Sequence, residues 1–420
     1  MKALYTMNRL PPHHLARVGA IALTLGLSPA FLWAGSPHLP QPWRQEAVVD
    51  GRDETYNTER FLHLLTFRHS EALPGPTDNG IRGTGGSVSS RRLYLDFRFR
   101  QDFGFNHDHQ GFLLDIQRSE DLDGTYQRQL VGFRHNLTDN TELWLQGDVF
   151  SDKAQSDVYF SARHYLDRDH WIHASWILPD AYFNSKTDSG DEFIREPQSF
   201  FVQWHLGTEA TAPAAGTLVS INVSPPSEFS SRTKNLVVES KSLNAAVRHS
   251  RATENWLWQV EISGELTRRH YQLGGETLAG RADFERDHVK FDASVSDSHR
   301  RFQPRLGLYY LSLEEDGFFG RALNDVGTVN RREPTLYTDL TLPLSARTTL
   351  SPGVYLSKPD IDEHYLRNRG RQENGFTGKL TLPFKTVLSA QDGAVLTLNP
   401  TFYLHKFGFG GGNLQLHWPI

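Results

Sequence analysis

The chain has 420 residues, a formal net charge of −5, 12% aromatic residues and no cysteine. Without cysteine it holds no disulfide, no thiolate metal site, no lipid-anchored N-terminal cysteine and no covalently attached c-type haem. Apolar residues make up 38% and the mean hydropathy is −0.50, which excludes a bundle of membrane helices but suits a wall whose alternate strand residues meet lipid.

Residues 1–34 read as a secretory signal. Lys2, Arg9 and Arg17 form a basic lead, Val18 to Trp33 is uncharged and apolar, and Ser28, Ala30 and Ala34 offer small residues for cleavage. An uncleaved membrane helix is the alternative, although the run falls short of the roughly 20 residues that span comfortably. Losing this leader would remove basic residues only. The acidic remainder argues against general nucleic-acid binding. Gly35 to Thr58 is polar and contains proline, and is expected to be a periplasmic lead-in (35–58) before a single barrel domain (59–420).

From Glu59 onward the sequence divides into about eighteen segments with a two-residue period, sixteen and twenty being the neighbouring counts. The first is expected near Phe61–His69 and is followed by a polar link, Ser70–Ser90. In Arg91–Phe105, Leu93, Leu95, Phe97, Phe99 and Phe103 fall on one face, and Tyr94, Asp96, Arg98, Arg100 and Asp102 on the other. Gly111–Arg118 and Tyr126–His135 follow. Then come three short runs in 141–178, carrying Leu143, Leu145 and Val149; Val158, Phe160 and Ala162; and Ile172, Ala174, Trp176 and Leu178. Later runs are Ser199–Leu206, Thr217–Ser224, Glu239–His249, Glu254–Tyr271, Glu285–Asp297, Pro304–Leu313, Pro334–Leu344, Thr348–Ser357, Gly375–Lys385, Ala394–His405 and Gly412–Ile420.

The links between these runs alternate in length. Asn136–Asn140, Asp167–Asp169, Ser250–Thr253, Ser298–Gln303 and Ser345–Arg347 are short. Pro179–Gln198, Gln272–Phe284, Glu314–Glu333 and Lys358–Asn374 are long. Gly207–Gly216, Ser151–Gln155 and Lys406–Gly411 break the rule. Leu-Thr-Leu-Pro occurs at Leu340–Pro343 and Leu380–Pro383, each time expected at a strand end, where proline is tolerated. Phe103, Phe105, Phe112, Trp144, Trp171, Trp256, Trp258 and Trp418 lie near the turn-side ends of their runs, where an interfacial girdle belongs.

Taken together, the alternation, the links and the girdle resemble Gram-negative outer-membrane β-barrel, porin-like proteins. The resemblance implies an all-β, transmembrane antiparallel barrel with short periplasmic turns and longer extracellular loops, located in the cell outer membrane and surrounded by its lipid. Leu414, Leu416, Trp418 and Ile420 resemble the C-terminal strand such proteins present for assembly, although Trp418-Pro419-Ile420 departs from the usual aromatic ending. Eighteen strands would enclose a backbone diameter of roughly 36 Å, so function depends on what occupies the lumen.

The residues expected to line that lumen are Asp96, Arg98, Arg100, Asp115, Arg128, Asp148, Arg163, His173, His205, Glu261, Glu265, Lys290, Asp292 and Lys379. Their mixed signs suit a water-filled channel or a polar wall around another protein. A polyanion exporter or an anion-selective porin would be lined by Arg and Lys. Histidines beside acids, as in His107-Asp108-His109, Asp169-His170, Asp287-His288 and Asp297-Ser298-His299, read as solvated turns sooner than as metal sites. No spacing matches a hydrolytic barrel, so neither an enzyme nor a cofactor is expected.

Ser119-Glu120-Asp121-Leu122-Asp123-Gly124, Ser151-Asp152-Lys153-Ala154 and Ala181-Tyr182-Phe183-Asn184-Ser185-Lys186 resemble loops in the barrel component of porin–cytochrome conduits. That resemblance implies a separate multihaem cytochrome as a partner in the lumen. Three readings therefore stand: a porin-like channel, a sheath for such a partner, and a polysaccharide exporter. Pro179–Gln198 and Glu314–Glu333 are the candidates for a loop that enters the lumen.

Overall fold

The computed structural model describes residues 79–419 apart from 88–92, 106–108, 122–123, 149–155, 168–169, 186–189, 208–215, 233–234, 254, 274–275, 278–282, 298–301, 320–324, 366–371, 390–392 and 405–407. All strands belong to one antiparallel sheet of eighteen staves, numbered here in chain order. They are β1 (Gly80–Ser87), β2 (Leu93–Phe105), β3 (Gln110–Asp121), β4 (Gly124–Thr138), β5 (Thr141–Asp148), β6 (Val158–Tyr165) and β7 (Trp171–Leu178). Next come β8 (Asp191–Arg195 and Ser199–Gly207), β9 (Gly216–Ser231), β10 (Leu236–Ala252), β11 (Trp256–Leu273) and β12 (Phe284–Asp297). Then follow β13 (Gln303–Phe319), β14 (Asp325–Pro343), β15 (Thr348–Leu350, Gly353–Ser357 and Asp360–Tyr365), β16 (Gln372–Asn374, Thr377–Thr381 and Phe384–Ser389), β17 (Ala394–Tyr403) and β18 (Phe409–Pro419).

The sheet closes on itself. Ile81 of β1 faces Phe99 of β2 on one side and Trp418 of β18 on the other. Closure gives every stave a hydrogen-bonded neighbour on both sides, the condition for crossing lipid with strands. Even parity puts both ends of the barrel chain on one side, the periplasmic side in an outer-membrane barrel.

The two-residue period sorts the wall. Leu95 and Phe97 on β2, Leu143 and Leu145 on β5, Phe200 and Val202 on β8, Trp256 and Trp258 on β11, and Leu306 and Leu308 on β13 are all exposed. Alternate residues on the same staves point inward and are mostly polar, with Trp144, Phe201 and Leu311 among the apolar exceptions. An apolar belt around the whole outside would be untenable in water, so the belt sits in lipid and the barrel in the outer membrane. On β11 the outward residues stay apolar from Trp256 to Leu266, a height of roughly 26 Å at the usual rise and tilt. The next outward residue is Arg268, 2.6 Å from Asp287 and 3.4 Å from Glu285 on β12. Beside it His270 meets Asp283, Arg332 meets Glu314, and Arg195 meets Glu228 and Glu239. This charged collar marks the extracellular limit of the lipid.

Several expectations need correction. The run Phe61–His69 lies outside the described residues, and β1 comes instead from within the polar link Ser70–Ser90. Its glycines let it fit: a Cβ on Gly86 would lie 2.8 Å from Asn413 Cα and collide with the Gly412 carbonyl. The count of eighteen stands with this first stave replaced. The long link Glu314–Glu333 is mostly the outer part of the β13–β14 hairpin, with Glu314 paired to Asn330 and Phe319 to Asp325. Its described residues, 314–319 and 325–333, are therefore wall and do not enter the lumen. In the conduit-like stretch, Ser119–Asp121 likewise continues β3, and Asp121 pairs with Gly124 at the start of β4. Pro343 ends β14 as expected, but Pro383 only interrupts β16, which resumes at Phe384.

Candidate functional site: the ion-paired inner wall

The inward positions of β2 and β3 begin the site. Arg98 donates from Nε to Asp115 at 2.9 Å and from Nη2 at 2.5 Å, a two-point pairing that fixes both side chains. Arg100 is directly opposite Asp115 in the ladder, and both are buried. Asp115 is followed across the sheet by Leu130 and then Asp148. Nearer the periplasmic end, Arg134 donates to Asp102 at 2.9 Å. The side chains of Asp96 and Arg128 lie outside the described set.

Beside this stands an aromatic cage. The Arg163 guanidinium lies 5.4 Å from the Trp144 ring centroid and 5.1 Å from that of Trp171, and 3.7 Å from the Glu142 carboxylate. Arg100 approaches the same Trp144 ring at 5.9 Å, and His205 lies 4.7 Å from the Trp171 ring. His173 shares a 2.9 Å hydrogen bond with Ser175, which in turn meets Ser161 at 2.6 Å. Trp144 and Trp171 were expected in the lipid-facing girdle, and the fold places them inside. Leu143 and Leu145 are exposed to lipid, so the residue between them must face the lumen. The other girdle residues, Phe103, Phe105, Phe112, Trp256, Trp258 and Trp418, do face outward.

The remaining staves carry a second set of pairs. Arg286 donates to Glu315 and lies 3.7 Å from Glu265, which accepts from Thr267 at 2.9 Å. Arg331 donates to Glu333 at 3.0 Å, and Ser357 donates to the same carboxylate at 3.2 Å. Arg248 donates to Glu261 at 2.9 Å, Arg305 to Asp339 at 2.7 Å, and the Tyr337 hydroxyl to Asp292 at 2.6 Å. Lys379 donates to the Gly410 carbonyl at 3.0 Å, with its ammonium 4.8 Å from the Tyr403 ring. Lys290 is half-buried between Ser263 and Leu311. Among the described residues, no three His, Asp or Glu side chains gather as metal ligands. Asp287 and His288 occupy opposite faces of β12.

The extracellular mouth adds what sequence reasoning missed. Phe193 points inward, since its strand neighbours Glu192 and Ile194 are exposed, and Phe229 is its ladder partner on the same face. Phe183, in the short 3₁₀ turn Phe183–Ser185, packs edge-on against both at 5.0 and 5.9 Å. Residues 179–185 therefore fold onto the inner face of the wall. Asn184 pins it by bonding both the N–H and the carbonyl of Phe193. Asp180, with φ of 50°, donates its N–H to Asp157, whose other oxygen accepts from Tyr159. Burial, then the neighbouring Asp157 charge, push the Asp180 carboxyl up to about 8.

No protein-family model and no curated protein matches the chain. Among solved structures, likenesses cover 81% of it. They include the outer membrane protein OpdK from Pseudomonas aeruginosa (11% identical, 97% of that chain, TM-score 0.43). Pseudomonas aeruginosa OccK2 (OpdF) in complex with glucuronate is 14% identical over 97% of that chain, with a TM-score of 0.40. CdiB from Acinetobacter baumannii is 8% identical over 59% of that chain, with a TM-score of 0.41. The barrel assignment rests on the closed strand ladder of this chain and not on these likenesses.

Proposed function

We propose that the barrel is a porin-like channel that lets small polar solutes cross the outer membrane, with no catalytic step of its own. One observation carries this reading: a closed eighteen-stave wall whose inner face is a lattice of paired charges, with a loop folded inward at its extracellular mouth. Paired charges keep a wall hydrated without giving it one sign, which suits solutes of modest charge more than a polyanion. The cage of Arg163, Trp144 and Trp171 would be the most discriminating station along the path, because it combines a cation with apolar ring faces. The fourteen residues named from sequence enter this proposal as wall components, most of them held by a partner.

The test is conductance of the purified barrel in planar bilayers under a salt gradient. Discrete channels are expected, with little selection between anion and cation. Arg163→Ala should move the reversal potential toward cation preference. A correctly assembled barrel that passes no current would refute the channel reading. A sheath around a cytochrome or an export barrel has no specific observation in its favour, since most of the inner charges find a partner within the wall.

A further inference from the structure

The lipid-facing side of β13 to β17 carries a notch. Leu308, Leu336, Leu356 and Leu404 line it, Gly378 forms part of its floor, and its volume is about 570 Å³. Backbone irregularity creates it. β15 is interrupted at Lys358 and Pro359, and β16 at Gly375 and Phe376, so the neighbouring ladders part where a smooth wall would continue. Gly378 sits opposite Leu356 in the ladder and adds no side chain to fill the gap.

The rim of the notch is charged on one side only. The Lys358 ammonium lies 5.9 Å from the ring centroid of Phe376, which is 83% exposed. The Lys358 N–H donates to the Pro334 carbonyl at 3.1 Å, two residues from Arg332 of the charged collar. Lys358 therefore stands at the depth where hydrocarbon gives way to headgroups. A dry apolar cleft opening onto lipid, with a cation at headgroup depth, matches an acyl chain joined to an anion.

We propose that this notch binds an acyl chain of an outer-leaflet lipid and that Lys358 pairs with a phosphate on the same lipid. The proposal rests on the bilayer placement of the wall and not on the channel reading. A barrel that binds lipid but passes no current would overturn the channel and leave the notch intact. A second copy of this chain fits the site less well, because the cleft is concave and its cation has an anionic headgroup layer at its own depth.

Full-length protein in neutral detergent is titrated with diphosphoryl lipid A and with the same lipid after dephosphorylation, and adducts are followed by native mass spectrometry. A single adduct is expected, with the phosphorylated lipid favoured roughly tenfold. Lys358→Glu should abolish that preference. Gly378→Val should weaken both lipids, because a Cβ there already lies 3.0 Å from the tips of Leu356 and Leu404. Heat-modifiable migration confirms closure of each variant, and Lys358→Gln replaces the charge reversal if assembly fails. Equal binding of the two lipids overturns the proposal. So does an unchanged preference in the Lys358 variant, or a protein dimer in place of the lipid adduct that Gly378→Val disrupts.

Discussion

The carboxylate pair at the extracellular mouth makes a direct pH prediction. The Asp180 carboxyl is raised from 3.8 to about 8 by burial and by Asp157. At about 1.4 kcal/mol per tenfold in proton affinity, this is roughly 6 kcal/mol of preference for the neutral acid in the packed loop. A raised acid means the packed state holds more protons than the released one. Loop packing is therefore strongest at the acid end and is lost as pH climbs from about 4 toward 8. The penalty falls first on the contacts this segment makes, namely Ala181 N–H to the Ser156 carbonyl and Phe183 against Phe193 and Phe229. The chain has no cysteine, so Tyr182→Cys, at an exposed position, accepts a single spin label. Label mobility should rise between pH 5 and 9 in the parent. Asp180→Asn, neutral at every pH, should hold the loop immobile throughout. A parent that shows no change with pH, or an Asn variant that titrates like the parent, would refute the reasoning.

Two further predictions concern the wall. At the closing seam, Gly86→Ala should impair assembly by about 1–3 kcal/mol, because its Cβ meets the β18 backbone; Gly83→Ala should be tolerated, since the nearest atom there is Phe97 Cδ2 at 3.9 Å. The yield of heat-modifiable barrel compares the two, and equal yields would count against the seam geometry. For the pair Arg286–Glu315, both side chains 3% exposed, Arg286→Met alone should cost about 3–5 kcal/mol in urea unfolding, and adding Glu315→Leu should restore most of it. No recovery in the double variant would mean that the pair's net charge-assisted contribution outweighs its desolvation.

Strand existence and facing were legible from period two alone at Arg98, Arg163, His173 and Lys379, because a slip of one residue would have sent them into lipid. The same period, applied strictly, also puts Trp144 inward, where an aromatic-girdle rule points the other way. β1 was not legible, since GIRGTGGS has no apolar alternation and gains its place only from backbone partners at opposite ends of the barrel chain. Glu315, Arg331 and Glu333 went unread because their segments looked too polar for strand, a criterion that fails where staves rise above the bilayer. The Asp157–Asp180 and Phe183–Phe193–Phe229 contacts join separate loops and strands, and no local pattern announces them.

The glycine-rich seam has a mechanical consequence. At several other joints, such as β2–β3, β10–β11, β12–β13 and β13–β14, ion pairs on the inner face lock neighbouring staves together. Between β1 and β18 the ladder runs past Gly80, Gly83, Gly85 and Gly86, and past Gly412, with little side-chain interlock to resist shear. Glycine-rich pairing specifies register weakly, so this line can slide and re-pair while the two ends search for alignment. Under lateral load the wall is expected to part first along this line.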